Sequence, residues 1–311
     1  MKTKNSLSIM RNSQSKLVVE TAAWIIFVLC AVIAVLAVFS ITLYMFLKGV
    51  PAFAKVGVAE ILFGHEWAPA AKDPSYGILY IILTSIAGTA AAILIGVPIG
   101  VLTAVFLSEV APKKLSKAVR PVVDLLAGIP SVIYGLLGLM ILNPAMYKLE
   151  QIIFADSPTH QFTGGANLIS AVLVLVIMIL PTVINISQSA LQAVPQSLKS
   201  ASFGLGASQI QTIFRVQIPA ARSGIVTAIV LGIGRAIGEA MAISLVSGSA
   251  VNPPLPFNSV RFLTTAIVSE MGYAADTHRM VLFSIGLVLF VFIMVINIAL
   301  TKILKGAKNH G

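Results

Sequence analysis

The chain has 311 residues, 58% of them hydrophobic and only 10% charged, with a formal net charge of +10. A soluble domain carries roughly 25% charged residues, so this composition excludes a soluble globular enzyme, and its apolar content excludes a disordered or fibrous chain. It leaves a polytopic membrane protein, whose positive charge is expected in loops that hold the chain at one membrane face.

A polar, basic stretch comes first, residues 1–21, with Lys2, Lys4, Arg11 and Lys16. The apolar run 22–47 is too long for a signal-peptide core, and no Ala-x-Ala cleavage site follows it. It is expected to be a retained transmembrane helix over 22–48. Five more apolar runs follow, at 76–107, 124–147, 167–186, 221–250 and 280–304. At about 20 residues per crossing each is long enough to span. Pro98, Pro130 and Pro181 fall inside three of them. Spanning helices tolerate proline where neighbours re-satisfy the freed carbonyls, which predicts a packed bundle. The expected fold is all-α and polytopic, with six transmembrane helices, a core of five of them over 75–305 and a short tail at 306–311. The runs are continuously apolar rather than alternating, so a strand barrel is excluded. Trp24 and Trp67 suit interfacial anchoring.

The loops set the expected orientation. Fourteen of the 21 Lys and Arg residues lie in the N-terminal stretch, loop 109–120, loop 187–224 and the C-terminal end, where they are Lys302, Lys305 and Lys308. The positive-inside rule puts these segments, and both termini, in the cytoplasm. The opposite loops hold the acids Glu60, Glu66, Asp73, Glu150, Asp156, Glu270 and Asp276.

Catalytic patterns are missing. No phosphate-binding loop and no H-E-x-x-H occurs, and one cysteine, Cys30, rules out a disulfide within the chain. The cluster Gly232-Ile-Gly234-Arg-Ala-Ile-Gly238 is one residue off dinucleotide spacing and sits inside an apolar run, which suits close helix packing. His65, His160, His278 and His310 fall in loops or the tail and are read as solvated. The chain is expected to be a non-enzyme that binds no cofactor.

Loop 194–220 does not have the composition of a linker. Ile210, Ile213, Phe214 and Ile218 recur close to helical spacing, and Ser208 is placed to cap that helix. A second short helix fits before Gly204, with Gly204 and Gly206 allowing a sharp turn and Pro219 stopping the second helix. This helix–turn–helix is either an interfacial connector or a knob for a soluble partner.

The same residues resemble the EAA loop of ABC importer permeases, whose pattern is E-A-A, three residues, G, nine residues, I-x-L-P. Ser200-Ala201-Ser202 stands at the E-A-A position, Gly206 follows, and Val216-Gln217-Ile218-Pro219 closes the pattern. Ser200 occupies the place of the glutamate. Gly232-Ile-Gly-Arg235-Ala-Ile-Gly-Glu239-Ala-Met-Ala is similar to the G-L-G-R-A-x-G-E-T-M-A stretch of Pst-type phosphate-importer permeases. Asp124-Leu-Leu-Ala-Gly-Ile-Pro130-Ser131-Val-Ile-Tyr134-Gly135 resembles their E-L-L-A-A-I-P-S-I-V-Y-G. Glu66-Trp67-Ala-Pro and Tyr76-Gly77 look like the PstC-type partner rather than PstA.

The resemblance implies the type I ABC importer permease fold and a phosphate importer of the inner membrane. It implies a PstA-like second permease, two PstB-like ATPases docking on Ser200, Ala201, Gly204, Gly206, Ile218 and Pro219, and a PstS-like binding protein outside. ATP and Mg would bind the ATPases. The alternatives are a permease for molybdate, sulfate or phosphonate, or a secondary transporter or channel working without ATP.

Arg235 and Glu239 are the unusual residues of the fifth run. An ionisable group at mid-membrane costs ~2.5–3.5 kcal/mol on insertion scales. In a continuous helix the two lie on one face with Ala228, Gly232, Ala242 and Val246. They are read either as an ion pair that fixes packing, or as a pathway in which Arg235 passes an oxyanion and Glu239 holds the guanidinium between transport events. Asp124 is expected at the start of the third span, complementing the positive helix end.

Overall fold

The computed structural model describes residues 3–308. The chain opens with α1, Thr3–Val56, which runs on through Pro51 well beyond the expected end at residue 48. A short α2, Val58–Phe63, leads to a two-stranded ribbon. Its strands, β1 (Trp67–Ala68) and β2 (Ser75–Tyr76), pair antiparallel with Trp67 opposite Tyr76. α3, Leu79–Val105, continues into a π-helical turn, Phe106–Val110. α4, Lys113–Gly128, α5, Ser131–Leu137, a π turn at Gly138–Leu142 and α6, Asn143–Ile153, come next. α7 is Leu168–Gln192. α8 (Gln196–Gly204), α9 (Gln209–Thr212), a π turn (Ile213–Gln217) and α10 (Ile218–Ala220) form a helical hairpin. α11 (Arg222–Gly238), α12 (Met241–Val246), α13 (Leu263–Glu270) and α14 (Asp276–Lys308) complete the chain.

Among the described residues five helices are long and apolar enough to cross a membrane, and a sixth crossing exists if the bent pair Gln209–Ala220 and Arg222–Gly238 is taken as one span. α7 is the most buried of these spans and forms the axis of the bundle. It lies between α3 and α11, and glycines let both approach. A Cβ on Gly96 would sit 2.6 Å from Ile179 Cδ1, one on Gly100 2.8 Å from Val183 Cγ1, and one on Gly232 of α11 3.0 Å from Val183 Cγ2. Lipid tails are as apolar as leucine, so helix association inside a bilayer relies on such close packing rather than on hydrophobic burial. Of the glycine cluster of α11, Gly232 alone packs against a helix; a Cβ on Gly234 or Gly238 would meet nothing within 4 Å among the described residues. α1 stands outside this bundle. It lies along α14 through edge-on contacts of Tyr44 with Phe283 and Phe46 with Phe290. From Trp24 to Leu43 its large side chains are exposed among the described residues.

Two expected continuous spans are broken. The run 124–147 divides at Ile129–Pro130. Proline disfavours helical backbone in the residue before it, and Ile129 is extended at φ −69°, ψ 129°. Pro130 therefore ends α4 and starts α5 rather than kinking one helix. Asp124 consequently lies in the last turns of α4, not at a helix start, and accepts a 2.9 Å hydrogen bond from Asn185 Nδ2. The run 221–250 divides at Glu239–Ala240, where Glu239 is extended at φ −73°, ψ 129°. Apolar content cannot reveal this second break, because hydropathy stays high across it.

The histidines also differ from expectation. His160 Nε2 lies 2.8 Å from Glu150 Oε1, and His278 Nε2 lies 2.7 Å from Glu270 Oε2. Both carboxylates are buried at the end of the bundle away from the hairpin. Glu150 also accepts from the Thr163 amide at 3.0 Å and from its hydroxyl at 3.0 Å. Glu270 accepts from Trp67 Nε1 at 3.1 Å and from Arg261. Trp67 is thereby tied to α13 instead of standing free as an anchor. His65 packs edge-on against Tyr80, and His310 lies outside the described residues.

Candidate functional site

Two features stand out, the helical hairpin at one end of the bundle and the broken span beside its axis. In the hairpin, α8 ends in a Schellman motif. The Gly206 amide donates to the Phe203 carbonyl at 2.9 Å and the Ala207 amide to the Ser202 carbonyl at 3.2 Å. This closure needs a left-handed residue, and Gly206 supplies it at φ 84°. Gly204 is the last helical residue of α8 and takes no part in the left-handed turn, so one glycine makes the corner where two were expected. Ser208 then caps α9 with a full capping box: its hydroxyl accepts from the Gln211 amide, and Gln211 Oε1 accepts from the Ser208 amide. Between the arms the buried hydroxyls of Ser202 and Thr212 meet at 2.9 Å. Pro219 sits inside α10 and does not stop it; the 70° bend into α11 follows at Ala221–Arg222.

The hairpin is anchored at its base and bare at its tip. Ile213, Leu191, Val194, Ala221 and Ile225 pack with Ala104 and Val105 of α3 in one apolar cluster. At the tip Leu205 is 90% exposed and Ile210 69%, with Phe203 and Phe214 also exposed. Ser200 and Ala201 are exposed on α8, Pro219 is exposed, and Ile218 is half-buried. An aliphatic and aromatic patch of this kind marks an interaction surface.

The broken span separates Arg235 from Glu239. No hydrogen bond or ion pair joins them among the described residues, so the expected pairing at i and i+4 does not form. Its premise was a continuous helix, and the helix stops at Gly238. The Glu239 carboxylate turns back and accepts the Ala242 amide at 2.9 Å, which caps the first turn of α12. Its carbonyl accepts the Thr264 hydroxyl. One backbone group on each side of the break thus finds a partner inside the protein, as a membrane interior favours. The Arg235 guanidinium is half-buried between α11 and α7, with Thr182 Oγ1 at 3.4 Å as its hydrogen-bond partner among the described residues. An arginine has five N–H donors, so most of its hydrogen-bonding capacity is uncommitted. α5 packs beside the break: a Cβ on Gly135 would lie 2.8 Å from the Ala242 Cα. The two stretches singled out in the third and fifth runs are therefore neighbours in space. Sequence reasoning missed Thr182 and Thr212, which carry no motif, and the contact of Ser202 with Thr212, which becomes visible only when helices meet.

Among the described residues no group of three or more His, Cys, Asp or Glu side chains is placed to hold a metal ion. Residues 96–308 match the family described as "Binding-protein-dependent transport system inner membrane component". The chain belongs to this family. It is a permease component with no catalytic chemistry of its own. The permease is 39% identical, over 91% of its length and 92% of the relative's, to the probable ABC transporter permease protein YqgH of Bacillus subtilis (strain 168). It is 34% identical, over 81% of its length and 82% of the relative's, to the phosphate transport system permease protein PstC of Pasteurella multocida (strain Pm70). Among solved structures, a bacterial alginate ABC transporter in complex with a pentasaccharide-bound periplasmic protein aligns at TM-score 0.61 and 18% identity, covering 89% of the permease and 92% of that chain. An inward-facing MetNI methionine ABC transporter aligns at TM-score 0.52 and 19% identity, covering 74% and 94%. The all-α bundle of the permease is thus the fold of ABC-importer permeases.

Proposed function

We propose that this permease is the PstC-type subunit of an ATP-driven importer of inorganic phosphate. The observation that carries the substrate is the similarity to PstC proteins over four-fifths of the chain, supported by the span motifs that meet at the Gly135–Ala242 contact. A PstA-like permease would pair with it, two PstB-like ATPases would bind ATP and Mg, and a PstS-like protein would deliver phosphate. The hairpin end faces the cytoplasm, with both termini, because most basic loop residues lie on that side. The tip built on Leu205 and Ile210, with Ser200, Ala201, Gly204 and Gly206 on the arm before it and Ile218 and Pro219 at its base, is the ATPase-coupling element.

Arg235 is the pathway residue. Its uncommitted donors suit the planar, bidentate recognition of an oxyanion, and the charge persists at every physiological pH. Glu239 acts differently from a counter-ion. By capping α12 it stabilises the break, so that its carboxyl group is engaged by the Ala242 amide rather than by the guanidinium. ATP-driven closure of the ATPases moves the hairpins, and the spans rock to expose the pathway to alternate sides.

The test is uptake of radiolabelled phosphate by cells that lack their own high-affinity phosphate system and express the permease with its neighbouring transporter genes. Saturable uptake, blocked by excess phosphate and unaffected by sulfate or molybdate, is the expected result. Preferential block by sulfate or molybdate would assign another oxyanion, and uptake that persists without the ATPase would assign a secondary transporter.

A further inference from the structure

The hairpin is held to the bundle by more than its apolar base. Glu109 lies in the π turn that follows α3, 90 residues before Lys199 of the hairpin in sequence. Its carboxylate accepts from Lys199 Nζ of α8 through both oxygens, at 2.8 and 2.9 Å, and from the Ser108 hydroxyl at 3.0 Å. The pair is sheltered, with side-chain exposures of 14% for Lys199 and 10% for Glu109. The Glu109 main-chain carbonyl accepts Gln209 Nε2 of α9 at 2.7 Å. That carbonyl is among the last of a helical segment, which lack acceptor roles within their own helix. One residue therefore grips both arms of the hairpin, the first by its side chain and the second by its backbone. Ser202 and Thr212 lock the arms to each other. The nearby cations Lys113, Lys114, Lys117 and Arg120 of α4, and Arg215 of the hairpin, are all exposed. Lys199 is the cation that the site has taken in.

We propose that Glu109 is a positioning residue that makes the hairpin and α3 move as one body. This rests on the coupling role given to the hairpin. The covalent route from the hairpin leads into α7 on one side and α11 on the other, and neither leads to α3. The apolar base rests on Ala104 and Val105 of that third helix, and the Glu109 grip ties both arms to it by directed polar contacts, so a push on the tip reaches the α3, α7 and α11 cluster as a whole. Ser200 stands beside Lys199 on α8 without a charge of its own, and the acid of this element comes instead from Glu109.

The experiment uses the complex that co-purifies with the tagged permease, reconstituted in lipid vesicles, with Cys30→Ala as background. Spin labels at Ser197→Cys on α8 and Leu102→Cys on α3 report the distance between the two bodies by electron paramagnetic resonance. The expected distance is the same in nucleotide-free and vanadate-trapped complexes, and in Glu109→Gln it shifts or broadens on trapping. Transport per ATP should fall roughly tenfold, within the range of a coupling between sites, in Glu109→Gln and in Lys199→Met. The exchange Glu109→Lys with Lys199→Glu should restore most of it. A distance that changes on trapping with Glu109 intact would overturn the proposal, even if no variant assembles. So would single variants that lose assembled complex but keep wild-type transport per ATP, which is the mark of a merely structural bridge. Vesicles that take up no phosphate would sink the substrate reading and leave the distance result standing. A complex that traps no nucleotide would remove the coupling role and this proposal with it.

Discussion

Four positions separate Arg235 from Glu239, and the break at Gly238 separates their work. Replacing Arg235 by glutamine removes both charge and fork, whereas lysine keeps the charge. Phosphate uptake should therefore fall strongly in Arg235→Gln and partly in Arg235→Lys, with co-purification of the complex retained in both. Glu239→Ala should act on the backbone instead. Loss of a helix cap costs about 0.5–2 kcal/mol, and in a membrane interior the freed Ala242 amide has no water to turn to. Thermal unfolding of the purified permease should shift downward, and Arg235→Gln added to Glu239→Gln should not recover transport. Recovery by that double change would re-establish the ion pair. The sequence pointed to both residues, since charges inside an apolar run are costly and conspicuous. It misread their relation because i and i+4 share a face only while the helix continues. The cap was written in the Glu239-to-Ala242 spacing, yet hydropathy concealed it.

At the scale of elements, the hairpin was more legible than the spans. Amphipathic spacing, a capping serine and glycine punctuation are local signals, and local hydrogen bonds answer them: the capping box at Ser208 and the Schellman closure at Gly206. Gly206 is the sensitive position, because φ 84° is poor for any β-branched side chain. Gly206→Val should leave the level of permease in the membrane near normal but reduce ATPase co-purification and ATP hydrolysis stimulated by the binding protein. Full retention of both would make the hairpin a mere connector. The span boundaries were less legible, since packing decides them. Proline at position 130 was visible, but whether it kinks or ends a helix depends on what catches the broken end. The glycines facing α7 offer a sharper prediction. Gly96→Ile forces bulk against Ile179, 2.6 Å from where a Cβ would stand. Overpacking typically costs about 1–3 kcal/mol, so the yield of folded, monodisperse protein in detergent should drop, while Leu94→Ala on the exposed face of α3 should not matter.

At the scale of the whole molecule, orientation is the quantity that charge alone predicts. With Cys30 replaced, a cysteine at Gln209 should resist an impermeant thiol reagent applied to intact cells, and cysteines at Asp73 and Asp156 should react. Labelling of Gln209→Cys from outside would invert the topology and with it the coupling role of the hairpin. The long apolar runs could be picked out from the sequence, because they have few alternatives in lipid; of the six expected crossings five are formed by long apolar helices among the described residues, and a sixth only if the bent pair Gln209–Ala220 and Arg222–Gly238 is one span. Which helix forms the axis could not be read from the sequence, because α3 and α7 look alike in hydropathy, and the glycines that admit α7 lie on its neighbours, Gly96 and Gly100 of α3 and Gly232 of α11.

The short, arginine-bearing α11 has a consequence for biogenesis. The 24 uncharged residues from Trp24 to Leu47 in α1 make a segment that partitions into lipid unaided. α11 has 17 residues, begins at Arg222 and carries Arg235 near its end, so its own hydropathy is a poor ticket into the bilayer. Its place is secured by Gly232 against Val183 and by Thr182 beside the guanidinium, both on α7. The insertion machinery must therefore release α7 first and let α11 enter against it. Nascent chains cut shortly after residue 250 should integrate α11 when α7 precedes it, and lose it to the aqueous side when α7 is replaced by an unrelated polyleucine helix.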